Sequence, residues 1–103
     1  MLGQFEERVL FALVAAKGEA TTSMICEIYE KDVGREPSYG ALYTCLDRML
    51  EKKFVTRRKG EPEPQKGGKA RFFYSITGGG RQALLDSVHR YKTLSGKLGI
   101  VGA

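Results

Sequence analysis

The sequence predicts a mainly α-helical domain with a small antiparallel β-hairpin, in the order α-α-α-β-β-α. Three observations lead there. Apolar residues recur at three- and four-residue spacing over four separate stretches, which is the pattern of amphipathic helices. Between the third and fourth of these the period shortens, and Phe54-Val55-Thr56-Arg57-Arg58 and Arg71-Phe72-Phe73-Tyr74-Ser75-Ile76 carry the β-branched and aromatic residues of two strands. The 103 residues suffice for a single domain with one modest core, of a size that oligomerisation often completes.

The first helix is marked by Phe5, Val9, Leu10, Leu13 and Val14 on one side and by Glu6, Glu7 and Arg8 on the other, and it ends near Gly18. Thr21, Thr22 and Ser23 offer capping hydroxyls to a second helix, buried through Ile25, Ile28 and Tyr29 and stopped at Gly34. The turn Arg35-Glu36-Pro37 leads to the third. Ser38 stands at its N-cap, Leu42, Leu46, Met49 and Leu50 form its core stripe, and Tyr39, Tyr43, Thr44, Asp47 and Arg48 fall on the opposite side. That second face mixes aromatic and hydrogen-bonding groups and has no necessity in a core. Tyr43 can also be read as covering the core edge, and Asp47, which phosphates would repel, as a solvated charge. Gly40 in the first turn marks either close approach by another backbone, such as a phosphate chain, or simple tolerance of glycine at that place.

Lys59 to Ala70, between the two strands, is rich in glycine, proline and charge, and reads as a flexible projecting loop. Phe72, Phe73 and Tyr74 resemble a base-stacking platform, but in a strand of so small a domain they read as core packing. Gly78, Gly79 and Gly80 read as a flexible start to the last helix, which Thr77 caps and in which Leu84, Leu85, Val88, Tyr91 and Leu94 recur at helical steps. His89 on that helix reads as a surface or interface residue. From Gly96 onward the glycine-punctuated tail is expected to fray or to be held by a partner.

Charge is concentrated. The chain has 17 Lys plus Arg against 12 Asp plus Glu, a net charge of +5. Arg57, Arg58, Lys59, Lys66, Lys69 and Arg71 lie in or beside the hairpin loop with only Glu61 and Glu63 to offset them, which favours a polyanionic partner. Cys26 and Cys45 fall on different predicted helices without metal-ligand spacing, and one histidine cannot complete a zinc site, so no metal and no cofactor are expected. The cysteines read as small buried apolar residues in a reducing cytoplasm, with a redox-sensing pair as the alternative. No leader is apparent at the start, and no stretch approaches the roughly 20 apolar residues of a membrane span.

Three helices, a basic hairpin and a fourth helix make the winged helix-turn-helix arrangement. The third helix suits a major groove, and the hairpin, or wing, suits the flanking backbone or minor groove. An enzyme is disfavoured by the lack of paired carboxylates, a nucleophile motif or a phosphate loop. A winged-helix protein-interaction module without specific DNA binding is the alternative reading, against which the basic wing argues.

The residues also carry a family resemblance over nearly the whole chain. Leu2-Gly3-Gln4-Phe5-Glu6, Gly40-Ala41-Leu42-Tyr43-Thr44-Cys45-Leu46-Asp47-Arg48-Met49, Gly67-Gly68-Lys69-Ala70-Arg71-Phe72-Phe73-Tyr74-Ser75-Ile76-Thr77 and Gly80-Arg81-Gln82-Ala83-Leu84 together resemble PadR-type transcriptional regulators. The resemblance implies a homodimeric cytoplasmic repressor that binds a palindromic operator and is released by a small-molecule effector. It assigns DNA contacts to Ser38, Tyr39, Tyr43 and Thr44 on the third helix and to Lys66, Lys69 and Arg71 on the wing. It assigns dimerisation to the last helix, with Leu84, Val88 and Tyr91, helped by Phe5 in the first. Residues 1–80 would then be the DNA-binding part, and residues 81–103 the dimerisation helix and tail of the same domain. Two features depart from the family pattern. Thr21-Thr22-Ser23-Met24-Ile25 stands where an aromatic, glycine-containing stretch is common, and the absence of tryptophan speaks against sensing flat hydrophobic drugs.

Overall fold

A computed structural model describes residues 2–62 and 70–97. The predicted element order is the observed one: α1 (Gln4–Ala15), α2 (Thr22–Val33), α3 (Tyr39–Glu51), β1 (Val55–Pro62), β2 (Ala70–Ile76) and α4 (Gly78–Lys97). Each helix begins where the local chemistry allows. Glu6 reaches back to the Gly3 amide at 2.9 Å in α1, Thr21 Oγ1 accepts from the Met24 amide at 3.2 Å in α2, and Ser38 Oγ accepts from the Ala41 amide at 3.4 Å in α3. Gly34 ends α2 in the left-handed region at φ 90°, donating its amide to the Glu30 carbonyl.

The core is drawn from every element. Val9, Leu10 and Leu13 of α1, Ile25 of α2, Leu42, Leu46 and Met49 of α3, Val55 of β1 and Tyr74 of β2 are all buried, with Cys26 and Cys45 among them. Leu84 of α4 packs against its edge. Ion pairs among the described residues brace the outside, Arg8–Asp32 at 2.7 Å between α1 and α2, Lys52–Glu6 at 3.3 Å and Arg58–Glu19 at 2.8 Å.

Four expectations need correction. First, β1 runs to Pro62 rather than stopping at Arg58, so Gly60 and Pro62 belong to the hairpin and not to its loop. Glycine suits that position, because a Cβ there would lie 2.6 Å from Phe73 Cε2 and would have to displace the ring. Second, Phe72 is 40 % exposed and is not core, although Tyr74 two residues on is buried. The strand outruns the helices, so its alternation continues past the point where there is a core to face. Third, Gly80 is a buried contact and not a source of flexibility. A Cβ on it would collide with the Phe54 carbonyl oxygen and lie 2.8 Å from Ile76 Cγ1. Fourth, Gly96 lies within α4; the tail beyond it, past residue 97, falls outside the described residues.

The sheet has a third participant that the sequence did not announce. Ala20, between α1 and α2, exchanges both backbone hydrogen bonds with Tyr74, at 2.9 and 2.8 Å. This fastens the hairpin to the helical body from the side opposite β1. Thr77 then starts α4, its Oγ1 accepting from the Gly80 amide at 3.0 Å and donating to the Lys53 carbonyl at 2.8 Å. The segment boundary expected at residue 80 falls within the first turn of that helix.

Candidate nucleic-acid interface

α3 has two faces because its sequence has two patterns. Leu42, Cys45, Leu46 and Met49 are buried, whereas Tyr39, Tyr43, Thr44, Asp47 and Arg48 are exposed. Tyr39 and Tyr43 stand out as large aromatic side chains about half open to solvent, at 53 % and 49 %. Two such rings within five residues of a helix start are costly to leave in water and are suited to a partner with polar and apolar edges. Tyr39 lies against the Cys26 thiol, and that contact raises its phenol above the ordinary 10.0, so the hydroxyl it presents at neutral pH is uncharged. Ser38 is exposed, with its oxygen already accepting the cap bond and its proton left to donate.

Gly40 sits on the same turn. A Cβ there would meet only Ser38 Oγ, at 3.8 Å, so the fold itself places no demand for glycine and the helix is open on that side. Between this turn and the start of α1 runs a groove of about 490 Å³ bordered by Gly3, Gln4, Glu6, Gly40, Thr44 and Arg48. Burial works to raise the Glu6 carboxyl, but the Gly3 amide, Lys52 and Arg48 together hold it below 4.5. The acid at the groove edge is therefore fixed as an anion and neutralised by its own neighbours.

Of the wing cations, Arg71 is half-buried on β2, and Lys66 and Lys69 lie outside the described residues. Arg58 donates from Nε to Glu19. Arg57 and Lys59 are exposed. The sequence placed these cations in one segment, and the fold sorts them by strand face.

The expected pairing residues divide in two. Val88 (47 %) and Tyr91 (65 %) are exposed on α4 together with Leu85 and Leu94, whereas Leu84 is partly buried in the chain's own core. Phe5 is likewise occupied internally, edge-on to Tyr29 at 5.4 Å between ring centroids. Phe11 was missed. It is 49 % exposed and lines one groove with Leu84, Val88 and Tyr91, continuing the apolar face of α4 onto α1. Its place off the stripe of Val9, Leu10 and Leu13 was the available signal, since a phenylalanine on the polar side of an amphipathic helix has no core to fill. No described helix is long and apolar enough to cross a membrane.

Solved structures with this architecture span much of the chain. A PadR-like transcription factor from Bacteroides fragilis superposes with a TM-score of 0.80 at 24 % identity, over 97 % of this chain and 91 % of that one. A transcriptional regulator from Clostridium thermocellum gives 0.74 at 15 % identity, over 95 % and 92 %. PadR of Bacillus subtilis, solved in complex with operator DNA, gives 0.69 at 21 % identity, over 82 % of this chain and 46 % of that longer one. No curated protein sequence matches the chain. Residues 10–86, from the middle of α1 through the first turns of α4 and so including the whole two-faced helix and hairpin, match the transcriptional regulator PadR-like family, and the chain belongs to that family.

Proposed function

We propose that the protein is a homodimeric, sequence-specific DNA-binding repressor of the cytoplasm, reading a palindromic operator with α3 and gripping the flanking backbone with its basic wing. The observation that carries this reading is the exposed face of α3: Ser38, Tyr39, Tyr43 and Thr44 crowd its N-terminal half, which is the end a helix-turn-helix protein presents to base edges. The hydroxyls read hydrogen-bonding edges, the rings take up thymine methyl groups and sugar, and Gly40 leaves room for a phosphate strand. Lys66, Lys69 and Arg71 supply sequence-independent affinity by displacing counterions.

Pairing follows from the apolar area that α4 leaves uncovered. Val88 and Tyr91 border one groove with Phe11 and Leu84, and Tyr91 and Leu94 border the next, so exposed apolar side chains gather along this side of α4 as they do where a partner covers a surface. A second copy related by a two-fold axis covers it with the same residues and sets two copies of α3 side by side. Leu84 and Phe5, partly occupied in the core, contribute at the margin of that interface.

The test is binding to genomic fragments, the protein's own upstream region among them, at two salt concentrations with competitor DNA. The expected result is selective retention of a fragment holding an inverted repeat whose half-sites lie about one helical turn apart. Weak, uniform retention that disappears with salt would refute operator recognition and favour a protein-docking role for the same surfaces.

A further inference from the structure

Arg57 and Arg58 are adjacent, chemically identical and, because successive strand residues point to opposite faces, directed to opposite sides of the hairpin. Their surroundings differ in one respect that matters for binding. Arg58 lies over the Phe73 ring, 4.6 Å from its centroid, and its Nε donates to Glu19 Oε2 at 2.8 Å. A carboxylate already answers its charge. Arg57 lies over the Phe72 ring at 4.7 Å, and among the described residues it has no acidic partner. Lys59, directly across from Phe72 in the register, is exposed on the same side.

We propose that Arg57 is a phosphate-contacting residue at the base of the wing, that Phe72 orients its guanidinium, and that Arg58 takes no part in the contact. The proposal rests on the DNA-binding reading above and deepens it by naming residues outside both α3 and the hairpin loop. Val55 and Tyr74, on the same side of the sheet, are buried under the helices. Arg57 sits across from Tyr74 at the margin of that core, and Lys59 and Phe72 continue the same side outward beyond it, which is why an aromatic ring there is 40 % exposed. Phe72 has no core to fill, and the Arg57 guanidinium lies over its ring.

The chemistry suits arginine and not lysine. A guanidinium stacked on a ring keeps its N–H donors in its own plane, with their edges free to meet two phosphate oxygens. Holding the long side chain in one arrangement beforehand reduces the freedom lost on contact. Arg58, by contrast, would have to leave Glu19 first. Two adjacent arginines are thus given different tasks, one held by Glu19 against the α1–α2 connection and one left without an acidic partner among the described residues.

The test measures fluorescence anisotropy of two duplexes, the best-retained genomic fragment and a scrambled one, against a series of salt concentrations. Arg57→Ala is expected to lower the slope of log affinity on log salt by about one, equally on both duplexes, which removes roughly a 3.5-fold change in affinity between about 50 and 200 mM salt. Arg58→Ala is expected to leave the slope unchanged. Phe72→Leu is expected to keep the slope but weaken binding of both duplexes, and Arg57→Lys to keep the slope without restoring the parent's affinity, as positioning by the ring requires. Melting curves on each variant separate these effects from loss of fold. An unchanged slope in Arg57→Ala, an equal loss in Arg58→Ala, or full affinity in Phe72→Leu overturns the proposal while the DNA-binding reading stands. If the parent binds neither duplex in a salt-dependent manner, the DNA-binding reading fails and takes this proposal with it.

Discussion

Replacing Gly80 by alanine should destabilise the protein, although alanine is the better helix former. The two effects oppose each other, and the geometry decides between them. In an unobstructed helix the exchange would stabilise by about 0.5–1 kcal/mol, because glycine loses more backbone freedom on folding. At Gly80 the new methyl collides with the Phe54 carbonyl oxygen and lies 2.8 Å from Ile76 Cγ1. The carbonyl cannot yield freely, since it accepts the Thr77 amide at 2.9 Å, the bond that seats the start of α4 on the strand side of the core. Overpacking of this kind costs typically 1–3 kcal/mol, and losing the Thr77 hydrogen bond adds about 1 kcal/mol. The net expectation for Gly80→Ala is a loss of about 1–3 kcal/mol. Gly79 is the control: its Cβ would meet Thr77 Oγ1 at 3.7 Å and the Lys53 carbonyl at 3.8 Å, both ordinary contacts, so Gly79→Ala should be neutral or stabilising by up to about 1 kcal/mol. Urea unfolding at one fixed protein concentration measures both, and a loss of 2 kcal/mol would appear in a thermal scan as a fall of roughly 8–16 °C for a domain of this size. A Gly80→Ala variant as stable as Gly79→Ala would refute the argument and return the glycine run to a flexible joint.

Three further outcomes are expected. Tyr43→Ala should reduce discrimination between the operator and a site mismatched at one base pair by about 1–3 kcal/mol, and an unchanged preference in competition binding would remove Tyr43 from base reading. Placing aspartate at both Val88 and Tyr91 should give monomer in sedimentation equilibrium, whereas a persistent dimer would put the pairing surface elsewhere. Burial, aided by the Glu6 carboxylate, pushes the Cys45 thiol from 9.0 up to about 11. The folded state therefore holds a proton that the unfolded chain releases, so stability is complete below pH 9 and falls as pH rises toward 11, by at most about 2–3 kcal/mol. Urea midpoints across that range should decline more steeply in the parent than in Cys45→Ala, and parallel declines would show that the thiol does not titrate with unfolding.

The parts of the fold that were legible from sequence are those fixed by local rules. The two faces of α3 followed from apolar spacing and from a serine placed before it, and the stop of α2 from Gly34. The misread parts were set by contacts between distant residues. Gly60 and Gly80 both looked like loosening elements, and in both cases a remote group, the Phe73 ring or the Phe54 carbonyl, occupies the space a side chain would need. Phe72 was misassigned because alternation gives the face of a strand but not where the core beneath it ends. At the candidate interface, residue type and order were enough to single out Tyr39 and Tyr43. The division of labour between Arg57 and Arg58 was not legible, since it depends on Glu19, a residue 39 positions away.

The paired bonds between Ala20 and Tyr74 have a mechanical consequence. Beyond Arg57, which pairs with Tyr74, β1 runs on to Pro62, so the hairpin projects from that point as an arm of roughly 17 Å. Tilting such an arm by about 5° at its root would carry its far end about 1.5 Å, more than separates a formed hydrogen bond from a broken one. Without a fastening on both edges of the root, small angular fluctuations would be magnified along the lever and the wing would meet its target at scattered positions. Clamping Tyr74 between β1 and Ala20 holds the root still. Aim at the tip is therefore determined at a residue far from it, and a substitution that loosened that root would be felt as lost reach and not as lost charge.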